Sequence, residues 1–264
     1  LLSTYMKSPT GKPYVKSHFA SHLKLNLQNA RLKDVRNTSA YINFEQQVCE
    51  LQRVDLSSLR GTNELCVFFV NVHNTLMMHA IIHNGSPGST MLERNAFGHH
   101  KYAIGDSTFS LFEIELAILR NKSKKANIFG YVQDESFRES DPRGNFRLTV
   151  PIKYVTFVLF TATDASPPMV ILQNPHKLDE ELSGHAKNYV RMYVRTRREN
   201  FTANIPGIFR IYLDDFTAGK STEAAKACLA AAVSAAGSND AAAAVMAEKN
   251  WRANYWRHFM RANE

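Results

Sequence analysis

The run NELCVFFVNVHNTLMMHAIIH, residues 63–83, decides the architecture of this chain. Its apolar residues fall on nearly every side of a helical wheel, which a surface helix cannot tolerate, so the run is expected to be a central helix packed all round. The Asn84-Gly85 step that follows supplies its stop signal. Two amides interrupt the apolar run: Asn71 and Asn74, three apart, share one helix face. A buried amide left without a partner costs about 1 to 3 kcal/mol, so both must be bonded. Backbone of neighbouring loops is the expected partner, which makes them structural; a ligand site is the alternative.

Before the central helix, Phe44, Val48, Leu51 and Val54 recur at spacings of three and four and predict an amphipathic helix over Tyr41 to Val54. Residues 1–39 are polar, basic and rich in turn formers, and are read as an extended N-terminal arm with at most one short helix near Phe19 to Leu27. After the central helix, KYAIGDSTFS (101–110) predicts a hairpin turning at Gly105-Asp106. Ser110 and Glu113 then form the S-x-x-E capping box that opens a helix. On that helix Glu115 falls on the apolar side, among Leu111, Ile114, Ile118 and Leu119, where a charge needs a partner. Arg143 is the expected one. Segment 121–150 reads as a long excursion with little regular structure.

The segment IKYVTFVLFTATD (152–164) alternates with apolar residues on both faces, Tyr154, Val158 and Phe160 on one and Val155, Phe157 and Leu159 on the other. That pattern predicts a strand buried on both sides. Leu178, Leu182, Ala186, Tyr189, Val190 and Tyr193 then follow helical spacing and predict a covering helix, and FTANIPGIFRIYLDDF (201–216) predicts a strand and a short helical turn near Pro206. Residues 217–264 change composition sharply: alanine, the best intrinsic helix former, dominates. The expected fold is therefore α+β, a helix-rich single core over 40–216 around a small central sheet, with an Ala-rich helical C-terminal extension over 217–264.

Several segments, in order, carry a family resemblance. FFVNVHNTLMMHAII (68–82) is similar to an aromatic-x-Asn-x-Tyr-Asn-x-Leu helix, and KYAIGDSTFSLFEIELAILR (101–120) to a Tyr-x-Ile-Gly hairpin followed by Ser-Leu-x-x-Ile-Glu-x-x-Ile-Leu-Arg. DPRGNFRL (141–148) is similar to an Asp-Pro-Arg loop, KYVTFVLFTATDASPP (153–168) to the strand and turn that follow, and IPGIFRIYLDDF (205–216) to a closing aromatic-Asp-Phe element that contains Asp215. Together these resemble domain of unknown function 547 over roughly residues 40–216. Many members of that family place a His after the Ile-Glu pair, a His inside the strand and a Cys before the Pro-Pro step, a set suited to an imidazole-activated thiolate. Here those positions hold Leu116, Thr156 and Ser166. The resemblance therefore implies a fold that has lost its candidate catalytic groups, with Asn71, Asn74, Glu115, Arg143 and Asp215 as a structural polar scaffold. The alternative is a hydrolase or acyl-transfer enzyme of thiol-enzyme type with Ser166 as an altered nucleophile. Against it, a serine hydroxyl is a weak nucleophile without an adjacent base.

Composition narrows the function further. The chain has 264 residues, 44% of them hydrophobic and 21% charged, and this is enough apolar material for one packed core. No stretch approaches the roughly 20 uninterrupted apolar residues of a transmembrane helix, and LLSTYMKSPTGKPYVKS lacks the order of a signal peptide, so a cytoplasmic location is expected. Three cysteines, an odd number without a short pairing pattern, are read as buried thiols. The net charge of +8 suits an acidic partner; the clusters at Arg191, Arg195, Arg197 and Arg198 and at Lys249, Arg252, Arg257 and Arg261 are read first as solvated helix faces, with contact to an anionic surface as the alternative. They accompany no recognisable nucleic-acid motif, and nucleic acid is not expected. Near the C-terminus, Trp251, Tyr255 and Phe259 recur every four residues beside Arg252 and Trp256; they are expected to bind a protein partner or to dock on the core. His79 and His83 share a helix face at a spacing used by metal sites, but the intervening residues supply no Glu, so no metal and no cofactor is expected. His99-His100 is a weaker candidate still, and Gly219-Lys220-Ser221 lacks the earlier Gly of a phosphate loop, having Asp214 in its place.

Overall fold

In the computed structural model the described residues are 32–85, 96–120, 127–128, 131–132, 137–150, 152, 154–162, 166–197, 202–204, 206, 208 and 212. The C-terminal extension with Trp251, Arg252, Tyr255, Trp256 and Phe259, the closing Asp215, the third cysteine Cys228 and the short helix expected near Phe19 to Leu27 lie outside them.

The apolar run forms helix α3, Thr62–Asn84, and every residue from Phe69 to Met78 is buried. This helix is long and apolar enough to cross a membrane by length and composition, and most of it is packed inside the protein. Gly85 ends it in the left-handed region, φ 91°, with its N–H bonded to the Ile81 carbonyl at 2.8 Å. Two short helices precede it, α1 (Leu32–Arg36) and α2 (Ser39–Cys49), the latter capped by the Thr38 hydroxyl and continued as a 3-10 turn over Glu50–Arg53. The predicted helix over 41–54 is thus present, tightened in its last turn. Arg36 closes α1 onto α3 by donating to the His83 carbonyl at 3.0 Å.

Strands β1 (Lys101–Ile104) and β2 (Ser107–Ser110) form the predicted antiparallel hairpin, with Ile104 opposite Ser107. Gly105 takes φ 57° at the first turn position, and a Cβ there would lie 2.6 Å from the Val54 carbonyl oxygen, so only glycine fits. Strands β3 (Asn127–Ile128) and β4 (Tyr131–Val132) make a second small ladder inside the polar excursion. A third joins β5 (Arg195–Arg197) to β6 (Thr202–Asn204), the latter within the strand predicted after Phe201. The helix-rich α+β class is the one observed. Helix α4, Leu178–Tyr193, buries Leu178, Leu182, Ala186, Tyr189 and Val190 as its spacing predicted.

Among its described residues, the segment predicted as a strand over 152–163 is not one. It is buried from Val155 to Leu159, but its backbone makes a 3-10 turn at Val155–Phe157, and both Tyr154 (φ 69°) and Ala162 (φ 55°) sit in the left-handed region. Double-sided burial gives the same apolar pattern whether or not a neighbouring strand exists. Tyr189 of α4 packs on Phe157 at 5.1 Å between ring centroids, so α4 covers this turn instead of a sheet.

Side chains of α3 replace the missing ladder. Asn74 donates to the carbonyls of Val158 (2.7 Å) and Val170 (3.0 Å) and accepts from the Phe160 N–H (2.9 Å). Asn71 exchanges two bonds with one residue, donating to the Leu172 carbonyl and accepting from its N–H, each at 2.9 Å. The expectation of backbone partners holds for both amides. Asn74→Ala would orphan three backbone groups, the Val158 and Val170 carbonyls buried and the Phe160 N–H half-buried, and Asn71→Ala two buried ones. At about 1 to 3 kcal/mol per orphaned group, urea denaturation is expected to register a loss of roughly 3 kcal/mol or more for Asn74→Ala and a smaller loss for Asn71→Ala.

Candidate functional site

The capping box at the end of β2 is complete: the Ser110 N–H donates to Glu113 at 2.8 Å, and the Glu113 N–H to the Ser110 hydroxyl at 3.0 Å. The helix it opens is a π-helix, Glu113–Leu119. Its wider turn brings residues five apart together, a geometry that an α-helix does not give. Glu115 and Arg120 are such a pair, with Arg120 Nη2 at 3.3 Å from Glu115 Oε1 and both side chains almost completely buried.

Around this pair a polar cluster closes. Arg120 Nη1 donates to the Thr156 hydroxyl at 3.0 Å, the Tyr212 hydroxyl donates to Glu115 Oε1 at 2.7 Å, and the Arg120 guanidinium lies 3.8 Å from the centre of the Tyr212 ring. Burial and the neighbouring Glu115 charge push the Tyr212 phenol above its ordinary value, so it remains a donor. His73, on α3, is fully buried nearby. Its Nδ1 lies 3.4 Å from Asn74 Oδ1, and its Nε2 has no hydrogen-bond partner among the described residues. Burial, the largest influence, lowers the His73 pKa from 6.5, opposed by Glu115 and assisted by Arg120.

The predicted Glu115–Arg143 pair is not formed. Arg143 instead bonds Asp141 (2.7 Å), Glu113 (3.0 Å) and the Thr108 carbonyl (2.7 Å), with Phe137 beneath its guanidinium at 4.5 Å. The Arg143 bond holds the Asp141 carboxyl below its usual range. The capping-box carboxylate, not the buried one, faces the Asp-Pro-Arg loop.

Ser166 is buried, and its hydroxyl is engaged with backbone on both sides: it accepts from the Thr161 N–H at 2.9 Å and donates to the Pro167 carbonyl at 3.2 Å. Tyr193 adds a bond to the Ser166 carbonyl at 3.3 Å. Leu116 is buried. Of the three positions that the family resemblance singles out, one is apolar and two hold hydroxyls committed to the fold. Cys66 is buried, and burial pushes its thiol up to about 12. Cys49 corrects the reading of buried thiols, since it is exposed on the outer face at the end of α2.

The structure also gathers residues that sequence reading kept apart. Glu45 of α2 lies beside His79 and His83 of α3, although 34 positions separate Glu45 from His79. His100, the second of the loop pair, bonds the Phe97 carbonyl (2.7 Å) and Asn84 (3.0 Å), a local tie across the end of α3. Of the cationic cluster at 191–198, Arg191 is exposed on α4.

Residues 56–190 match the family described as protein of unknown function, DUF547. No curated protein and no solved structure matches.

The buried imidazole makes acid stability a test of the polar cluster. In the folded chain His73 binds its proton less readily than in the unfolded chain, so the unfolded state takes up more protons as pH falls below about 6.5. Stability is therefore full above that pH and is lost progressively beneath it. Urea midpoints at pH 7.5, 6.5 and 5.5 are expected to fall in the wild type and to fall less in His73→Gln. Part of the slope remains because His79 is lowered in the same direction. An identical pH profile in the two proteins would contradict this assignment.

Proposed function

We propose that this chain, which belongs to the DUF547 family, acts as a non-catalytic interaction module, its fold kept and its candidate thiol chemistry replaced by structural bonds. The observation that carries the reading is the state of Ser166. A nucleophilic hydroxyl needs a base to take its proton, whereas this one donates to the Pro167 carbonyl and accepts from the Thr161 N–H. The two positions for a base are Leu116 and Thr156, and the Thr156 hydroxyl is held by Arg120. The buried Cys66, with its raised thiol pKa, offers no substitute nucleophile.

The partner class follows from charge. A net charge of +8 favours an acidic protein surface, and the Trp251, Arg252, Tyr255, Trp256 and Phe259 segment combines the aromatic and Arg residues that dominate interface hot spots. A cytoplasmic setting suits a module of this kind.

One experiment on the full chain carries two readouts. Fluorophosphonate and iodoacetamide probes, mapped by peptide mass, are expected to leave Ser166 unlabelled, to label exposed Cys49 in the native state and to reach Cys66 only after unfolding. Retention on an acidic polypeptide column is expected to fall with salt and to weaken when Trp251, Trp256 and Phe259 are replaced by Ala. Fold-dependent labelling of Ser166 would contradict the non-catalytic reading, and unchanged retention would remove the C-terminal segment from it.

A further inference from the structure

Helices α2 and α3 meet at an unusual cluster. Glu45 of α2 faces His79 and His83, one turn apart on α3, and one ligand-capable atom from each of the three lies within 4.8 Å of the others. His79 Nε2 stands 3.7 Å from Glu45 Oε1, too far for a hydrogen bond. Two donors bound to one tetrahedral zinc are separated by about 3.3 Å, given bonds of about 2.0 to 2.1 Å. The cluster is thus slightly wider than a filled site. His83 is exposed and Glu45 is 43% exposed, so both have the freedom to close around an ion.

A second, independent observation points to a ligand here. Among the described residues, neither buried ring nitrogen of His79 has a hydrogen-bond partner, the Glu45 carboxylate standing 3.7 Å from Nε2. Buried polar atoms in this state are costly, and an unplaced ion or water is among the ordinary explanations. Aromatic rings wall the cluster: Phe44 meets His79 edge-on at 5.7 Å and Tyr102 lies at 5.6 Å. The bond from Arg36 to the His83 carbonyl fixes the end of α3 that carries the third donor.

We propose that Glu45, His79 and His83 form a mononuclear site for a divalent cation of the zinc class, clipping α2 to α3. Two imidazole nitrogens at i and i+4 with one carboxylate are donors that zinc accepts, whereas calcium and magnesium call for all-oxygen sets. The exposure of His83 and Glu45 leaves the cluster open to solvent, so that water can complete the coordination of a bound ion.

The test uses the full chain stripped with a chelator and titrated with zinc chloride against a chromophoric competitor. One zinc per chain is expected, with a raised thermal midpoint. Cobalt in place of zinc is expected to give d–d bands without a thiolate charge-transfer band, which excludes the cysteines. His83→Ala removes an exposed side chain and leaves the core intact, and Glu45→Gln keeps the shape of the carboxylate; each is expected to weaken zinc binding by at least about tenfold. Absence of stoichiometric binding to the native chain, or undiminished binding in either variant, would overturn the site.

Discussion

The structure depends on two side-chain amides that do the work of a β-ladder. Helix α3 lies at the centre with apolar residues around it, and the described residues 154–162 and 166–172 run against it without a regular strand. Backbone N–H and C=O groups buried there must find partners. Asn74 serves three of them and Asn71 serves two, so five backbone groups of the two irregular passes are satisfied from one helix face. Those bonds hold the 158–160 and 170–172 segments side by side against α3. They also frame the loop between them, which contains Ser166.

This arrangement gives a physical account of the changed family positions. Ser166 ties the framed loop back to Thr161, and Thr156 receives Arg120 from a buried cluster that includes Glu115 and Tyr212. Hydroxyls suit both tasks because each can accept and donate within one short reach. An imidazole or thiol at either place would need a different set of bonds. In our reading the polar groups here contribute to the uniqueness of the fold and take no part in chemistry.

Much of this was legible in the sequence, and the failures have identifiable causes. All-round apolarity located α3, and the demand that a buried amide be bonded located the role of Asn71 and Asn74. The capping box fixed the start of its helix, and Gly105 fixed the hairpin. Alternation over 152–163 reported burial correctly but carried no information about pairing, and neither the left-handed Tyr154 nor Ala162 betrays itself by residue type. The partner of Glu115 was missed because a π-helix moves the facing residue to Arg120, outside the three and four spacings of an α-helix. One signal was available: Glu115 and Arg120 lie in the same motif. Glu45 beside His79 depends on how α2 folds back on α3, which no local spacing encodes.

The direct measurement of the central claim is amide hydrogen exchange on the wild-type chain, read at the Phe160 and Leu172 N–H groups. If Asn74 and Asn71 hold these segments as a ladder would, both amides exchange only through global unfolding, as slowly as the middle of α3. Exchange at Phe160 and Leu172 within seconds, with the middle of α3 still protected, would contradict the account and make the amides surface ties on a loosely held segment.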